Sequence, residues 1–353
     1  MPHILTVSTA LPDHYYDQEQ LISALLERWG QRYVNPERIA RFQRNVLVGG
    51  RHLALPMERY DELTGFGDHN DAWIEVAVPL AERAVRAAMA AAGIGADEVA
   101  MIASTTVTGL AVPSLEARLM NRLPFAADTR RMPLFGLGCL AGAAGINRVA
   151  DFLRAEPTAA AVFVSVELCS LTLQKDDLSV ANIVSSGLFG DGCAAVVMVG
   201  DEHPLAATAP LRVVAGRSHF IPETERVMGW DVVDSGFRVV LAPTVAEVVA
   251  EELPGAIDAL CAAKGWGRED LGFFVGHPGG PKVLKSAAAA MGLSDEDFAA
   301  SWDSLRRFGN MSSTSVLFVL AETLAAKPRP GSRGLLFAFG PAFCAELALL
   351  EVN

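Results

Sequence analysis

The chain has 353 residues, of which 51% are hydrophobic and 20% charged, so we expect a folded globular protein, either two domains or one large layered unit. Its formal net charge of −12 argues against nucleic-acid binding, because neutralising phosphates requires clustered Lys and Arg. The sequence predicts no signal peptide and no membrane span, and we expect a cytoplasmic protein.

Along the chain, the more polar residues 1–75 are interpreted as an N-terminal helical segment of the same body. Apolar runs then alternate with amphipathic stretches, which predicts an α/β architecture with buried strands. The predicted helices are IEVAVPLAERAVRAAMAAAG (74–93) and VAEVVAEELPGAIDALCAAKG (245–265). The predicted strands are VAMIAST (99–105), AAVFVSV (160–166), CAAVVMVG (193–200), LGFFVG (271–276), GLLFAFG (334–340) and AELALLEV (345–352).

An internal repeat relates the two parts of this pattern. AAGIGADEVAMIAS (91–104) aligns with AKGWGREDLGFFVG (263–276), and FGLGC (135–139) falls near FGNMS (308–312) at nearly the same offset. We therefore predict two similar α/β halves, residues 1–210 and 211–353, which the segment around 204–234 joins into one packed body.

Cys139 is the cysteine whose surroundings indicate chemistry. It follows the glycines of FGLGC and precedes the helical run LAGAAGINRVADFL. A helix N-terminus offers free N–H groups and the positive end of the helix dipole, which favour a thiolate nucleophile; the alternative is a buried thiol that serves only packing. The other four cysteines form no CxxC pair and predict neither a disulfide framework nor a zinc site: Cys169, Cys193, Cys261 and Cys344.

Two residues of the second half are candidate partners for this thiol. His277, in VGHPGGP, follows a predicted buried strand, at the end where α/β proteins collect their functional groups. Asn310, in RRFGNMSSTSV, stands at a predicted helix start. It is either a helix N-cap or, beside Cys139 and His277, an amide donor to an oxyanion.

Five motifs in this order resemble those of type III polyketide synthases, the chalcone-synthase-like members of the thiolase superfamily: GCLAGAAGINRVADFL, GLFGDGCAAVVMVG, GHPGGP, FGNMSSTSV and FGPAFCAE. The resemblance implies a five-layered αβαβα fold made of two duplicated halves, usually as a homodimer. It also implies CoA thioesters as substrates, with no metal and no further cofactor. Acyl-CoA supplies the starter unit and malonyl-CoA the extender units.

The resemblance also assigns residues to roles. Cys139 is implied as the acyl-accepting nucleophile. His277 and Asn310 are implied to hold the malonyl thioester carbonyl during decarboxylation, and His277 also to maintain the thiolate. Phe189, in GLFGDG, matches the gating phenylalanine between the CoA tunnel and the cavity. The implied cavity wall consists of Val112, Cys169, Thr172, Trp230 and Phe237, and the implied CoA contacts are Arg51 and Lys282.

Within the family, the segments 105–124 and 227–241 look most like bacterial alkylresorcinol and alkylpyrone synthases, which extend fatty acyl-CoA starters. Trp230 stands where a small residue is common in the plant enzymes, and we expect it to control starter length. Three alternatives remain open: a ketoacyl-ACP synthase III-like single condensation, a papain-like cysteine hydrolase and a non-catalytic thiolase-like scaffold. The hydrolase lacks support, because no CGSCW-like segment surrounds Cys139.

Overall fold

Strands and helices alternate along the chain in the computed structural model, which describes residues 1–30, 32 and 35–353. The strands of this part are β1 (His3–Ala10), β2 (His14–Asp17), β3 (Gly50–Leu53), β4 (Val99–Thr105), β5 (Arg130–Leu134), β6 (Ala160–Leu168), β7 (Asp191–Val199), β8 (Leu211–His219), β9 (Met228–Val233), β10 (Gly236–Leu241), β11 (Leu271–Gly276), β12 (Arg333–Gly340) and β13 (Cys344–Val352). Its α-helices are α1 (Gln18–Trp29), α2 (Pro36–Asn45), α3 (Phe66–Ala92), α4 (Leu115–Met120), α5 (Ala141–Ala155), α6 (Val180–Leu188), α7 (Val245–Ala262), α8 (Pro281–Met291), α9 (Ala299–Phe308) and α10 (Ser315–Ala325).

A nine-stranded sheet in the order β11-β12-β13-β8-β1-β7-β6-β4-β5 carries the repeat. In the first half β4 runs parallel to β6, β6 antiparallel to β7, and β7 antiparallel to β1. The second half repeats this pattern with β11, β12, β13 and β8. The prediction of two duplicated halves is therefore confirmed, and β1 and β8 pair where the halves meet.

Three hydrophobic cores separate five layers. The long helix α3 packs on the outer face of β1, β6 and β7, and α7 packs on β8 and β13 at the opposite side. Between the two halves of the sheet, α5 and α10 form a buried middle layer that contacts strands of both halves. The predicted αβαβα fold is thus confirmed. Among the helices described, none is both long and apolar enough to cross a membrane.

The six predicted strands and both predicted helices are present, with small differences at their ends. The interpretation of residues 1–75 as purely helical is wrong, because β1 is a central strand of the sheet. Its sequence HILTVSTA is part polar, yet β7 and β8 pair with its two edges, and the Thr6 hydroxyl donates to the Ala88 carbonyl at 2.9 Å. Tertiary pairing overrides a weak local signal here. The boundary at 210 and 211 stays a prediction; β8 begins at Leu211.

Gly142 is a packing point of the middle layer. A Cβ atom on it would lie 2.2 Å from the Ser313 carbonyl oxygen and 2.6 Å from Val316 Cγ1. We expect Gly142→Ala to lower the free energy of unfolding by about 1–3 kcal/mol in urea denaturation. Gly255→Ala in α7 is the matched control, since a Cβ there meets nothing within 4 Å, and it should be neutral or stabilising. Equal stabilities for the two variants would contradict this account of the middle layer.

Candidate active site

Cys139 lies in a short 3-10 turn, Gly138–Leu140, that leads directly into α5. The preceding Gly138 has a φ of +54°, and a Cβ on it would lie 2.4 Å from Cδ of Pro341, so only glycine fits there. The backbone of FGLGC therefore packs closely against that of FGPAF. The thiol is buried, and its Sγ lies 3.4 Å from the Ser312 hydroxyl.

His277 and Asn310 reach the same region from the second half. His277 follows β11 and is 5% exposed, and neither ring nitrogen has a hydrogen-bond partner among the described residues. The Asn310 Oδ1 accepts from the Ser312 amide at 2.8 Å, and its Nδ2 donates to the Gly279 carbonyl at 3.3 Å. These bonds fix the carboxamide, while the buried imidazole is left free to meet a ligand.

One cavity of about 640 Å³ brings the three residues together. We call it the nucleophile cavity, and its walls include Cys139, His277, Asn310, Phe189 and Trp230. Asn310 is not a helix N-cap: it forms a parallel bridge with Phe189, well before α10 begins. A thiol, an imidazole and a carboxamide around one space can supply the nucleophile, the proton acceptor and the oxyanion donor of acyl transfer.

Burial has the largest effect on the pKa values of Cys139 and His277. It raises the pKa of the Cys139 thiol to about 12, against a hydrogen bond from Ser312 that lowers it. Burial likewise lowers the pKa of His277 to about 3. A backbone N–H of the turn also lowers the pKa of the thiol, as expected for a helix start, but desolvation outweighs it. A thiolate here needs a compensating positive charge, and His277 is the titratable group on the cavity wall that can provide it.

A second cavity of about 830 Å³ lies behind Phe189 and Trp230, which line both spaces. We call it the side cavity; its wall includes Cys169 and Thr172 together with Leu21, Leu25 and Met57. The rings of Phe189 and Trp230 are 6.1 Å apart. Phe237 lines neither cavity: it is buried behind Trp230, with ring centroids 6.4 Å apart, and packs edge-on against Phe66.

Of the three remaining expected substrate contacts, Val112 and Arg51 differ in exposure from what the resemblance implies, whereas Lys282 does not. Val112 is 97% exposed, so it forms no cavity wall within its own chain. Arg51 is only 3% exposed, and its guanidinium donates to Gln18 and to main-chain carbonyls, while the residue also lines the side cavity. Lys282 is exposed at the start of α8, close in sequence to the cavity-lining Gly279 and Val283.

Sequence reasoning missed a buried carboxylate beside the nucleophile. Glu167, the single acidic residue of β6, accepts from the Val107 amide at 3.0 Å, from the Thr108 hydroxyl at 2.9 Å and from Ser313. Burial raises its pKa. An acid within an otherwise apolar strand is the sequence signal that could have found it. In the described part of the chain, no group of three or more His, Cys, Asp or Glu side chains could hold a metal ion.

Comparison with known proteins agrees with this geometry. The family models for chalcone and stilbene synthases match residues 2–202 with the N-terminal domain and residues 212–352 with the C-terminal domain. The chain belongs to this family. It is an acyltransferase of the type III polyketide synthase class.

The enzyme aligns with its relatives over nearly the whole length of its chain. A 1,3,6,8-tetrahydroxynaphthalene synthase from Streptomyces peucetius is 43% identical over 99% of this chain and 92% of the relative. A phloroglucinol synthase from Pseudomonas fluorescens is 31% identical over 99% of this chain and 98% of the relative. The crystal structure of the tetrahydroxynaphthalene synthase of Streptomyces coelicolor superposes with a TM-score of 0.93 at 32% identity, covering 99% of each chain.

The shifted pKa values of Cys139 and His277 lead to a pH prediction for the enzyme. Because burial lowers the pKa of His277 to about 3, its imidazole is neutral by itself and becomes an imidazolium only by taking the Cys139 proton. An imidazolium beside a thiolate lowers the pKa of the thiol by about one to three units, so His277→Gln should move the pH profile of Cys139 alkylation upward by about that amount. Iodoacetamide labelling, read by mass spectrometry of the Cys139 peptide, measures the profile. His203→Gln, outside the cavity, is the control and should leave it unchanged. Identical profiles in wild type and His277→Gln would refute the pairing.

Proposed function

We propose that the enzyme holds an acyl group on Cys139 and extends it with malonyl-CoA by repeated decarboxylative condensation. One observation carries the proposal: Cys139, His277 and Asn310 line the same buried cavity, although they come from different halves of the chain. Acyl-CoA and malonyl-CoA, drawn from the cytoplasm, are the proposed substrates. The proposed steps require no metal and no further cofactor.

In the proposed loading step, Cys139 Sγ attacks the thioester carbonyl of the starter. His277 takes the thiol proton, and as the carbonyl re-forms CoA leaves and receives that proton from His277. In the extension step the bond between the malonyl carboxylate and the α-carbon breaks, CO2 leaves, and the electron pair becomes an enolate. His277 and Asn310 donate to the enolate oxygen, and the enolate carbon then attacks the thioester and displaces Cys139.

For the starter, we propose malonyl-CoA and an aromatic polyhydroxylated product. The relative that is 43% identical over 99% of the chain is a tetrahydroxynaphthalene synthase, and all the ring carbons of that product can come from malonyl units. Trp230 supports a small starter, because it lies between the nucleophile cavity and the side cavity.

A fatty acyl starter, giving an alkylpyrone or alkylresorcinol, is the second candidate. The side cavity favours it, since much of its wall is aliphatic, with Leu21, Leu25, Leu53 and Met57 among its members. An acyl tail that passed Trp230 would find apolar surface there. The two candidates therefore differ in whether Trp230 opens or closes this path.

We also propose a homodimer. Val112 is 97% exposed, and Leu110 and Phe135, which follow the neighbouring strands β4 and β5, are exposed as well. Exposed apolar side chains of this size support an interface. In such a dimer Val112 could form a cavity wall of the second copy. Lys282, which forms no ion pair in the described part of the chain, remains the proposed contact for a CoA phosphate.

Purified enzyme should convert malonyl-CoA alone into an aromatic polyketide, as mass spectrometry of the products will show. A ladder of acyl-CoA starters tests the second candidate, which predicts alkylated products instead. Cys139→Ala should abolish both the products and the covalent acyl adduct, whereas Cys261→Ala in α7 should retain them. An adduct of unchanged mass on Cys139→Ala would show that the nucleophile is a different residue.

Trp230→Ala should join the two cavities and admit longer starters. We expect the enzyme variant to accept acyl chains that wild type rejects, with a gain of about tenfold or more in kcat/KM for a long-chain acyl-CoA; such a gain corresponds to about 1.4 kcal/mol. Trp230→Phe, which keeps an aromatic ring, should stay closer to wild type. An unchanged chain-length profile in Trp230→Ala would eliminate this residue as the starter control.

A further inference from the structure

The end of α6 is held by a buried arginine from the N-terminal part of the chain. Arg51, in β3, donates through Nη1 to the Gly187 carbonyl at 3.0 Å and through Nη2 to the Ser186 carbonyl. The last carbonyls of a helix have no partner within it and carry partial negative charge. A guanidinium satisfies two of them at once and matches their charge.

Two glutamines complete this contact. Gln18 accepts from Arg51 at 2.6 Å and donates to the Gly187 carbonyl at 3.2 Å. Gln43, from α2, donates to the Ile183 carbonyl and to the Ser186 hydroxyl. Side chains from α1, α2 and β3 thus hold the last turn of α6 in one position.

This turn leads directly into the nucleophile cavity. Phe189 follows α6 and pairs with Asn310: the Asn310 amide donates to the Leu188 carbonyl at 2.8 Å, and the Gly190 amide donates to the Asn310 carbonyl at 2.9 Å. The aliphatic part of the Arg51 side chain packs against this bridge. A Cβ added to Gly190 would lie 3.3 Å from Arg51 Cβ, and a Cβ added to Gly309 would lie 3.6 Å from Arg51 Cδ. A shift of α6 would therefore move both Phe189 and Asn310.

The charge of Arg51 is only partly compensated within the protein. Burial lowers the pKa of Arg51 to about 10, and the charge of Asp191, a buried acid at the start of β7, opposes that shift. Asp191 is fixed in turn by the Ala54 amide at 2.6 Å and the Ser170 amide at 2.8 Å.

We propose that Arg51 is a positioning residue for the condensation step: by holding the C-terminal carbonyls of α6, it fixes Phe189 and, through the bridge, Asn310. This role replaces the CoA contact that the resemblance implied, and it rests on the proposed function of Asn310. The two roles predict different kinetics. A positioning residue acts on the transition state and lowers kcat, whereas a CoA contact acts on binding and raises KM.

The test compares wild type, Arg51→Met and Arg51→Lys in malonyl-CoA turnover and in acyl loading of Cys139. We expect Arg51→Met to lower kcat for polyketide formation about tenfold or more, with KM for malonyl-CoA within about twofold. Loading of Cys139 by an acyl-CoA should be retained, because Asn310 acts on the malonyl carbonyl. Arg51→Lys keeps the charge and should recover part of kcat.

Asn147→Ala is the stability-matched control: this buried amide donates to Glu346 and to the Leu347 carbonyl, and it lies in α5 away from the α6 turn. It should lower thermal stability without changing the ratio of condensation to loading. The proposal is overturned if Arg51→Met raises KM with kcat unchanged, if it behaves like Asn147→Ala, or if neither Arg51 variant folds, which would make the residue purely structural. If the wild-type enzyme itself does not turn over malonyl-CoA, the proposed function is refuted instead.

Discussion

The close packing of α5 against the start of α10, between the two halves of the sheet, is the contact on which the rest of the structure depends. Gly142 has no side chain because the Ser313 carbonyl occupies that space. At this contact the turn that carries Cys139 meets the turn that carries Ser312, 173 residues further on, and their side chains lie 3.4 Å apart. Both turns are buried in the middle layer. A duplicated fold thereby creates one site from two equivalent positions.

Burial in that layer also sets the chemistry of the site. It raises the pKa of Cys139 to about 12 and lowers that of His277 to about 3, so each group gains its charge only with help from a neighbour or a substrate. Burial also raises the pKa values of the buried acids Glu167 and Asp191, but the hydroxyl and amide donors around them oppose that rise. Among the buried side chains that the structure describes, the His277 imidazole keeps both ring nitrogens without a partner, which suits the proton exchange proposed for it.

The surroundings of the nucleophile are built from segments remote in sequence. Phe189 and Trp230 line both the nucleophile cavity and the side cavity, and α1 and β3 supply part of the wall of the side cavity. The same N-terminal segment reaches the catalytic region through Arg51, which holds the end of α6. The helix α1 and the strand β3 therefore belong to the framework of the candidate site.

The sequence by itself determined the strands of the core, the two-fold repeat and the family, because buried strands and tight glycine turns leave strong local patterns. It also singled out Cys139, His277 and Asn310, although their roles stay predictions. It missed β1, whose part-polar residues become a central strand only by pairing with β7 and β8. It placed Arg51 at an entrance and Val112 in a cavity wall, whereas their exposures are 3% and 97%. Tertiary structure alone decided these points, because exposure, partners and pKa depend on which distant segments pack together.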